Sequence, residues 1–200
     1  MANEVLSRKA RQQRTVVDLL DAAERVFLAE GYHATTIAKI ASEAGYTHGA
    51  VYANFEGKDA LCMAVIERVI EAQMTNLEER LSKVAGDAEA ALRVVEEWWQ
   101  GLIQHEGLLV FALEFSLAAM RSDRAEELRD HVRAGKKLIE AALAMTVDPD
   151  SLPLPLPDAA AITFVLGVGL GFDHAVDPEQ PFERFAPALR ALLSAPADPA

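Results

Sequence analysis

Side chains that can hydrogen-bond a polyanion cluster between residues 35 and 58. Hydroxyl, imidazole, amide and ammonium groups donate to phosphate oxygens and to base edges, and a glycine among them allows close approach of the backbone. This chemistry is non-covalent recognition rather than catalysis. The group consists of Thr35, Thr36, Tyr46, Thr47, His48, Gly49, Tyr52, Asn54 and Lys58.

The first residues of this group, Thr35 and Thr36, are expected to lie between two helices. Apolar residues at steps of three and four from Val16 to Phe27 predict a long first helix, and Gly31 is expected to end it. Thr35 is a plausible N-cap for a short second helix that begins near Ile37.

A glycine turn separates the second helix from a third. Gly45 is expected to end the second helix, and Thr47 can cap the third, whose Phe55 faces inward. Such a turn lets the third helix cross the second steeply and project from the surface. The spacing predicts a helix-turn-helix whose recognition helix lies within Tyr46–Phe55, followed by a long helix from Lys58.

The net charge of −12 opposes binding to DNA, but the acidic residues are unevenly distributed. Residues 1–60 carry seven Lys or Arg and eight Asp or Glu, whereas the other 140 carry twelve and twenty-three. Four cations near the N-terminus can neutralise phosphates locally, or can belong to a solvated tail. They are Arg8, Lys9, Arg11 and Arg14.

The ordered series of residues in this region resembles the DNA-binding domain of the TetR family of bacterial repressors. The resemblance covers about 50 residues, from Arg14 to about Val65, without an insertion. It rests on Ala22-Ala23, Phe27, Gly31-Tyr32, Thr35-Thr36, Ile40-Ala41, Ala44-Gly45, Gly49, Val51-Tyr52, Asn54-Phe55, Lys58 and Leu61.

The resemblance implies roles for three positions. A hydroxyl at the start of the second helix, here Thr35 or Thr36, contacts phosphate or only caps the helix. Thr47 caps the recognition helix and bonds phosphate, and the hydroxyl of Tyr52 binds phosphate while its ring packs on the nucleus.

Other roles follow from the residue types. His48, where the family often has lysine, can donate to guanine or phosphate, and Asn54 can read adenine or bond the DNA backbone. Tyr46 can reach a phosphate or a base, or simply cover the turn. Lys58 adds an ammonium at a helix N-terminus, which suits a phosphate.

The remaining chain is predicted to be helical, with no hairpin signal. Alternate prolines from 153 to 157 predict an extended segment.

The fold class is all-α with about nine helices: a three-helix DNA-binding domain with a helix-turn-helix, and a larger helical domain that the resemblance assigns to ligand binding and dimerisation. The expected organisation is a flexible basic arm at 1–13, the DNA-binding domain at 14–58 and the larger domain at 59–200. Helices of the larger domain are expected over 87–105, 107–121, 123–146, 158–175 and 182–194.

Bulky apolar side chains on several of these helices can line a cavity of roughly a few hundred Å³, or can be plain core. In the family, an inducer in such a cavity tilts the fourth helix and changes the spacing of two reading heads, so the resemblance implies a small-molecule inducer of unknown identity. The candidate pocket residues are Trp98, Leu102, Phe111, Phe115, Met120, Phe164 and Phe172. Candidate polar contacts are Glu114, Asp173, His105, His131 and His174.

The last two helices are the candidate dimer interface. Gly167 and Gly171 share a helical face, which suits close approach of another backbone or close packing within the chain. An apolar stripe on the final helix comprises Phe182, Phe185, Leu189, Leu192 and Leu193. The resemblance implies a homodimer in which these helices form a four-helix bundle.

Enzymatic activity is not expected. The sequence has no P-loop, no Gly-rich dinucleotide turn, no nucleophile elbow and no Cys/His metal spacing, so no catalytic residue, metal or cofactor is predicted. No export signal is recognised, and no apolar stretch is expected to reach the roughly 20 residues that span a bilayer. Cys62 is the only cysteine, which suits a reducing cytoplasm.

The sequence therefore predicts a cytoplasmic, DNA-binding transcriptional regulator that does not act at a membrane. The favoured form is a repressor released from a palindromic double-stranded operator when a small apolar or amphipathic ligand binds the C-terminal domain. Two alternatives stay open: a regulator without a small-molecule inducer, and an activator.

Overall fold

Nine α-helices lie within residues 2–103, 107–179 and 184–194, which are the residues described by the computed structural model. The all-α expectation with about nine helices is confirmed. The helices are α1 (Ala2–Ala34), α2 (Ile37–Glu43), α3 (His48–Tyr52), α4 (Lys58–Ser82), α5 (Ala88–Ile103), α6 (Leu108–Ala119), α7 (Ala125–Ala144), α8 (Leu156–Val176) and α9 (Phe185–Ser194).

The N-terminal segment differs from its prediction. Residues 2–13 form the first turns of α1 rather than a flexible arm, and Met1 lies outside the described residues. No glycine or proline interrupts the chain before Gly31, so backbone hydrogen bonding can continue from the packed part of α1 toward the N-terminus. Gly31 breaks the helical conformation with φ 79° and ψ 173°, as expected.

The two short helices are capped by threonines. Thr36, not Thr35, is the N-cap of α2, since its side chain accepts a hydrogen bond from the Lys39 amide. Thr47 is the N-cap of α3, as predicted. The recognition helix has only five residues and is shorter than the predicted Tyr46–Phe55.

The chain forms two compact units. Within the described residues, the first unit comprises 2–69 and 107–119, and the second comprises 70–103, 120–179 and 184–194. Helix α4 begins in the first unit and continues into the second. The first unit contains α6 as well as the helix-turn-helix. Fully buried side chains of its core include Leu19, Phe27, Ile40, Val51, Leu61, Val65, Phe111 and Phe115.

The second unit is built around α5, α7, α8 and α9. The indole of Trp99 stacks on Phe185 with their ring centroids 4.6 Å apart, which joins α5 to α9. Pro149–Ser151 forms a 3-10 turn, and α8 already begins at Leu156 because proline is tolerated in the first turn of a helix. Phe182, predicted to start the last helix, lies outside the described residues.

Helix α8 corrects one expectation. With 21 residues and high mean hydropathy, it is long and apolar enough, by length and composition, to cross a membrane. Helices that pack inside proteins meet the same criteria, and α8 packs against α7 and α9. One face of α8 nevertheless remains exposed and apolar.

Candidate nucleic-acid interface

A short helix is anchored on one side and presented on the other. Val51 of α3 is fully buried, whereas the side chain of the next residue, Tyr52, is 61% exposed. The turn before α3 is held by the Tyr46 amide, which donates to the Ala41 carbonyl at 2.8 Å. Consequently α3 is fixed to the core of the first unit while its other face meets solvent.

Five of the nine predicted residues lie exposed on this surface. They provide two threonine hydroxyls, an imidazole and a phenol, and a glycine whose backbone is not covered by a side chain. Around Gly49 an added Cβ would meet only the Thr47 hydroxyl, at 3.8 Å, so the backbone there is open to close approach. We call this set the reading face: Thr36, Thr47, His48, Gly49 and Tyr52.

Thr35 is not part of the reading face. Its side chain is 1% exposed, and its hydroxyl donates to the Gly31 carbonyl at 2.7 Å. The hydroxyl therefore stabilises the break in α1 and is turned away from solvent. Of the two candidates for a phosphate contact at the start of α2, the geometry retains Thr36 alone.

Two more predicted residues are engaged within the protein. The Tyr46 hydroxyl donates to Asp18 Oδ2 at 2.8 Å, so it links the turn before α3 to α1. Asn54 Nδ2 donates to the Ala50 carbonyl at 2.7 Å, one turn earlier. Both side chains are half-buried, which leaves them less of their hydrogen-bonding capacity for DNA.

Lys58 secures the N-terminus of α4. Its ammonium donates to the Tyr32 carbonyl at 3.0 Å and to the Thr35 carbonyl at 3.2 Å, and it lies 4.1 Å from the centroid of the Tyr32 ring. The Tyr32 hydroxyl in turn donates to Asp59 Oδ1 at 2.6 Å. An ammonium has three donors, so one remains for a phosphate.

Arg68 is a structural residue that the sequence patterns did not single out. Its guanidinium bonds Asp21 at 2.7 Å and also Glu24, joining α4 to α1. Burial lowers the pKa of Arg68, but its hydrogen bonds to Glu24 and Asp21 outweigh that effect and the net shift is upward. Asp21 and Glu24 precede Arg68 by 47 and 44 residues, so no local sequence pattern indicates these ion pairs.

Helix α6 packs directly on the C-terminal end of α1. The Phe111 ring stacks on Phe27 with centroids 5.7 Å apart, and the Phe115 ring meets Tyr32 edge-on at 5.4 Å. At Gly107 an added Cβ would lie 2.1 Å from the Leu28 carbonyl oxygen, so only glycine permits this approach. Phe111 and Phe115, predicted as pocket residues, are thus core residues of the first unit.

Glu114 closes the other end of the same contact. Its Oε2 accepts a hydrogen bond from the His33 amide at 3.1 Å, and it would lie 2.8 Å from a Cβ added at Gly31. Predicted as a polar ligand contact, Glu114 instead binds the backbone just after the break in α1. A carboxylate on α6 thereby helps to set the path of the chain into α2.

The other pocket candidates belong to the second unit. Trp98 Nε1 donates to the Gln73 carbonyl at 3.1 Å, and Trp98 and Leu102 pack against the Trp99–Phe185 cluster. Phe164 lies beside α7, with Lys136 Nζ 5.7 Å from its ring centroid. Met120 and Phe172 are exposed.

The polar pocket candidates of the second unit are also dispersed. Asp173 Oδ2 lies 3.9 Å from Arg184 Nη1, and both side chains are exposed. His131 and His174 are half-buried and have contacts within the protein. His105 lies outside the described residues. An open groove of about 350 Å³ is lined by other residues: Lys137, Glu140, Ala141, Ala144 and Leu156.

Reactive groups do not gather in the part of the chain that the structure describes. No group of three or more His, Cys, Asp or Glu there could hold a metal ion. Cys62 is fully buried, and burial raises the pKa of its thiol, with the nearby Asp59 acting in the same direction. The thiol is therefore neutral and shielded, whereas a nucleophile must be an accessible thiolate.

Three packed helices that present a short, threonine-capped helix with an exposed polar face define a helix-turn-helix DNA-binding domain. The family model described as "Bacterial regulatory proteins, tetR family" matches residues 19–65. Residues 19–65 therefore form a DNA-binding domain of the TetR family of bacterial transcriptional regulators.

Known proteins resemble the chain over different lengths. The probable HTH-type transcriptional regulator ArpR of Pseudomonas putida is 33% identical over 94 residues, 44% of this chain and 45% of that protein. The HTH-type nicotine-responsive transcriptional repressor HdnoR of Paenarthrobacter nicotinovorans is 26% identical over 165 residues, 82% of this chain and 84% of that protein. The chain thus spans less than half the length of ArpR but most of HdnoR.

A solved structure extends the likeness to both units. SmeT, the repressor of the Stenotrophomonas maltophilia multidrug efflux pump SmeDEF, superposes with a TM-score of 0.67 at 28% identity, covering 92% of this chain and 91% of SmeT. A SmeT–triclosan complex superposes with the same TM-score at 26% identity, over 91% of each chain.

Replacing Glu114 tests its contact with the His33 amide. In Glu114→Ala that amide loses its acceptor at a contact exposed to solvent, and we expect the free energy of unfolding in urea to fall by about 0.5–1.5 kcal/mol. Glu114→Gln keeps a carbonyl oxygen at the same place and is the matched control, with less than half that loss. Equal losses in the two variants would show that the charge of Glu114, not its hydrogen bond, matters.

Proposed function

We propose that the chain is a homodimeric repressor that binds a palindromic operator through the reading face. A small apolar or amphipathic ligand bound to the second unit releases it. The observation that carries the DNA-binding part is the contrast along α3 between buried Val51 and exposed Tyr52. This anchoring presents α3 to a major groove without loosening the core.

The reading face retains the donors that phosphates need. The hydroxyls of Thr36 and Thr47 use their oxygens to accept from the Lys39 and Ala50 amides, both at 3.3 Å. A hydroxyl that accepts still has its own proton to donate. Both caps can therefore hold phosphate while they hold their helices, and this would position α3 in register on the duplex.

Sequence would be read by the residues between the two caps. His48 can donate to guanine, and Gly49 leaves room for the backbone to approach a base edge. Tyr52, at the far end of α3, has a phenol hydroxyl for a phosphate. Asn54 and Lys58 are proposed as secondary contacts, because each already donates to backbone carbonyls within the protein.

An exposed apolar stripe on α8 supports a homodimer. Ile162, Val165, Phe172 and Val176 are exposed and, with Gly169, lie on one helical face. This face is opposite Gly167 and Gly171, which are buried; a Cβ added at Gly167 would lie 3.0 Å from the Trp99 ring. Packing within the chain therefore accounts for Gly167, and the exposed stripe is the surface proposed to meet the same face of a second copy.

A dimer matches the demands of operator binding. One five-residue recognition helix covers few base pairs, whereas a two-fold dimer reads two half-sites on one side of the duplex. The stripe offers a self-complementary apolar surface, which a two-fold interface requires. Because operators lie in the cytoplasm, we place the dimer there, with the apolar face of α8 in the interface and not in a membrane.

The ligand part of the proposal is supported by relatives. HdnoR is named as nicotine-responsive, and SmeT has been solved with triclosan. Both ligands are small, and triclosan is largely apolar. Release requires that the ligand bind the DNA-free conformation more tightly than the DNA-bound one, since only such a difference shifts the equilibrium.

Tyr52→Ala tests the reading face. On a duplex selected by the wild-type protein from a randomised library, we expect operator affinity to fall about 10- to 100-fold, as the loss of one or two good contacts predicts. Thermal stability and dimerisation should stay unchanged because Tyr52 is exposed. Tyr52→Phe removes the hydroxyl and keeps the ring, so its operator affinity shows how much of the loss in Tyr52→Ala is due to the hydroxyl. Unchanged operator affinity in Tyr52→Ala would show that another surface meets DNA.

Val165→Glu tests the dimer. A carboxylate placed on the apolar stripe would be buried without a partner, and we expect the variant to sediment as a monomer at micromolar concentration. Met145→Glu, an exposed apolar residue elsewhere in the second unit, is the matched control and should remain a dimer. Dimers in both variants would place the interface elsewhere.

Ligand binding is tested by thermal shift with triclosan and a panel of apolar and amphipathic compounds. A compound that binds the folded chain should raise its melting temperature, by an amount that grows with concentration. The same compound should weaken binding to the selected duplex. If no compound does both, the alternative of a regulator without a small-molecule inducer is favoured.

A further inference from the structure

Four of the seven Lys and Arg side chains described in the first unit are bound by carboxylates or carbonyls of the same unit. Arg25 pairs with Glu43 at 3.3 Å, Lys39 pairs with Glu30, and Arg68 pairs with two carboxylates. Lys58 is bound to two carbonyls. Among cations whose side chains the structure describes in this unit, those that remain are exposed and lie in the first turns of α1: Lys9, Arg11 and Arg14.

One contact places part of α1 beside the recognition helix. The Tyr46 hydroxyl, in the turn that leads into α3, donates to Asp18 Oδ2 at 2.8 Å. Asp18 thus marks the face of α1 that lies next to the reading face. The same face can be followed toward the N-terminus, because α1 is helical from Ala2.

Helical geometry selects two of the three exposed cations. Residues four and seven positions apart lie on one face of an α-helix, within about 40° of each other. Arg14 and Arg11 precede Asp18 by four and seven positions and therefore share its face. They lie about 6 Å and about 10 Å beyond Asp18 along the helix axis. Lys9 lies about 180° away.

We propose that Arg11 and Arg14 form a second DNA contact, a phosphate-binding row on α1 that flanks the reading face. This inference rests on the proposed DNA binding, and the two guanidinium groups would supply most of the electrostatic attraction to the phosphates. The row is helical before DNA binds, so the guanidinium groups meet the phosphates from an ordered backbone. An arginine fork also matches the geometry of phosphate oxygens.

The row resolves how so acidic a chain attracts DNA. At a net charge of −12 the protein as a whole repels a duplex, and the reading face itself carries no Lys or Arg. Two exposed cations beside the groove act locally, within a Debye length of about 8–10 Å at physiological salt. Acidic residues farther than that from the groove are screened.

The test measures how binding of the full-length protein to a random-sequence 40-base-pair duplex depends on salt. Each phosphate contact contributes about 0.9 to the slope of log K against log salt. We expect Arg11→Gln/Arg14→Gln to lower the slope by about 1.8 per chain and to weaken binding more than tenfold at 0.1 M salt. Glutamine keeps helix propensity close to that of arginine, so α1 should remain helical.

Two controls separate position from charge. Lys9→Gln removes a cation from the opposite face of the same helix. Lys83→Gln/Arg93→Gln removes two exposed cations of the second unit, and so the same total charge. Both controls should change the slope by less than about 0.5, well under the expected effect of one phosphate contact.

The outcomes distinguish this inference from the proposed function. If the wild-type chain binds the duplex and the Arg11/Arg14 variant has the slope of the controls, the row is wrong while DNA binding stands. If the wild type binds no duplex, the proposed function fails as well. If the variant instead loses binding to phosphatidylglycerol vesicles with its DNA slope unchanged, the basic face serves a membrane surface and the inference is overturned.

Discussion

Tyr32 occupies the junction on which the DNA-binding unit depends. It is buried where α1 breaks, with its ring against Phe27 and Phe115 and its hydroxyl on Asp59. The ammonium of Lys58 lies over the same ring and bonds the Tyr32 carbonyl. One side chain thus joins α1, α4 and α6 through dispersion, a hydrogen bond and a cation–π contact. Because the break sets the path into α2, the position of the reading helices follows from this junction.

Ion pairs between neighbouring helices also stabilise the first unit. Ion pairs such as Arg25–Glu43 hold α2 to α1, and Arg68 holds α4 to α1. Exposed pairs of this kind stabilise little individually, typically less than about 1 kcal/mol, but they leave few cations free. In the interface proposed above, neutral donors at the reading face and the two arginines beside it, Arg11 and Arg14, would therefore provide the contact with DNA.

Local features of the chain were predictable from sequence. The 3.6-residue periodicity, the break at Gly31, the Thr47 cap and the start of α4 at Lys58 are encoded within a few residues, because helix geometry and capping are short-range. The ordered series across these positions also identified the family, since it samples the whole three-helix nucleus. The all-α architecture, with nine helices in the residues that the structure describes, followed from the same periodicity in the remainder of the chain.

Side-chain partners were decided by tertiary structure. Whether Thr35 or Thr36 faces solvent depends on the path of the chain after Gly31, which is set by Glu114, 81 residues from His33. Tyr46 could have reached DNA but meets Asp18, 28 residues earlier. Likewise Phe111 and Phe115 joined the first core, and Gly167 met Trp99 rather than a second chain. Composition and spacing show which side chains can bury area or donate hydrogen bonds. The partner of each is settled only when segments far apart in sequence compete for the same space.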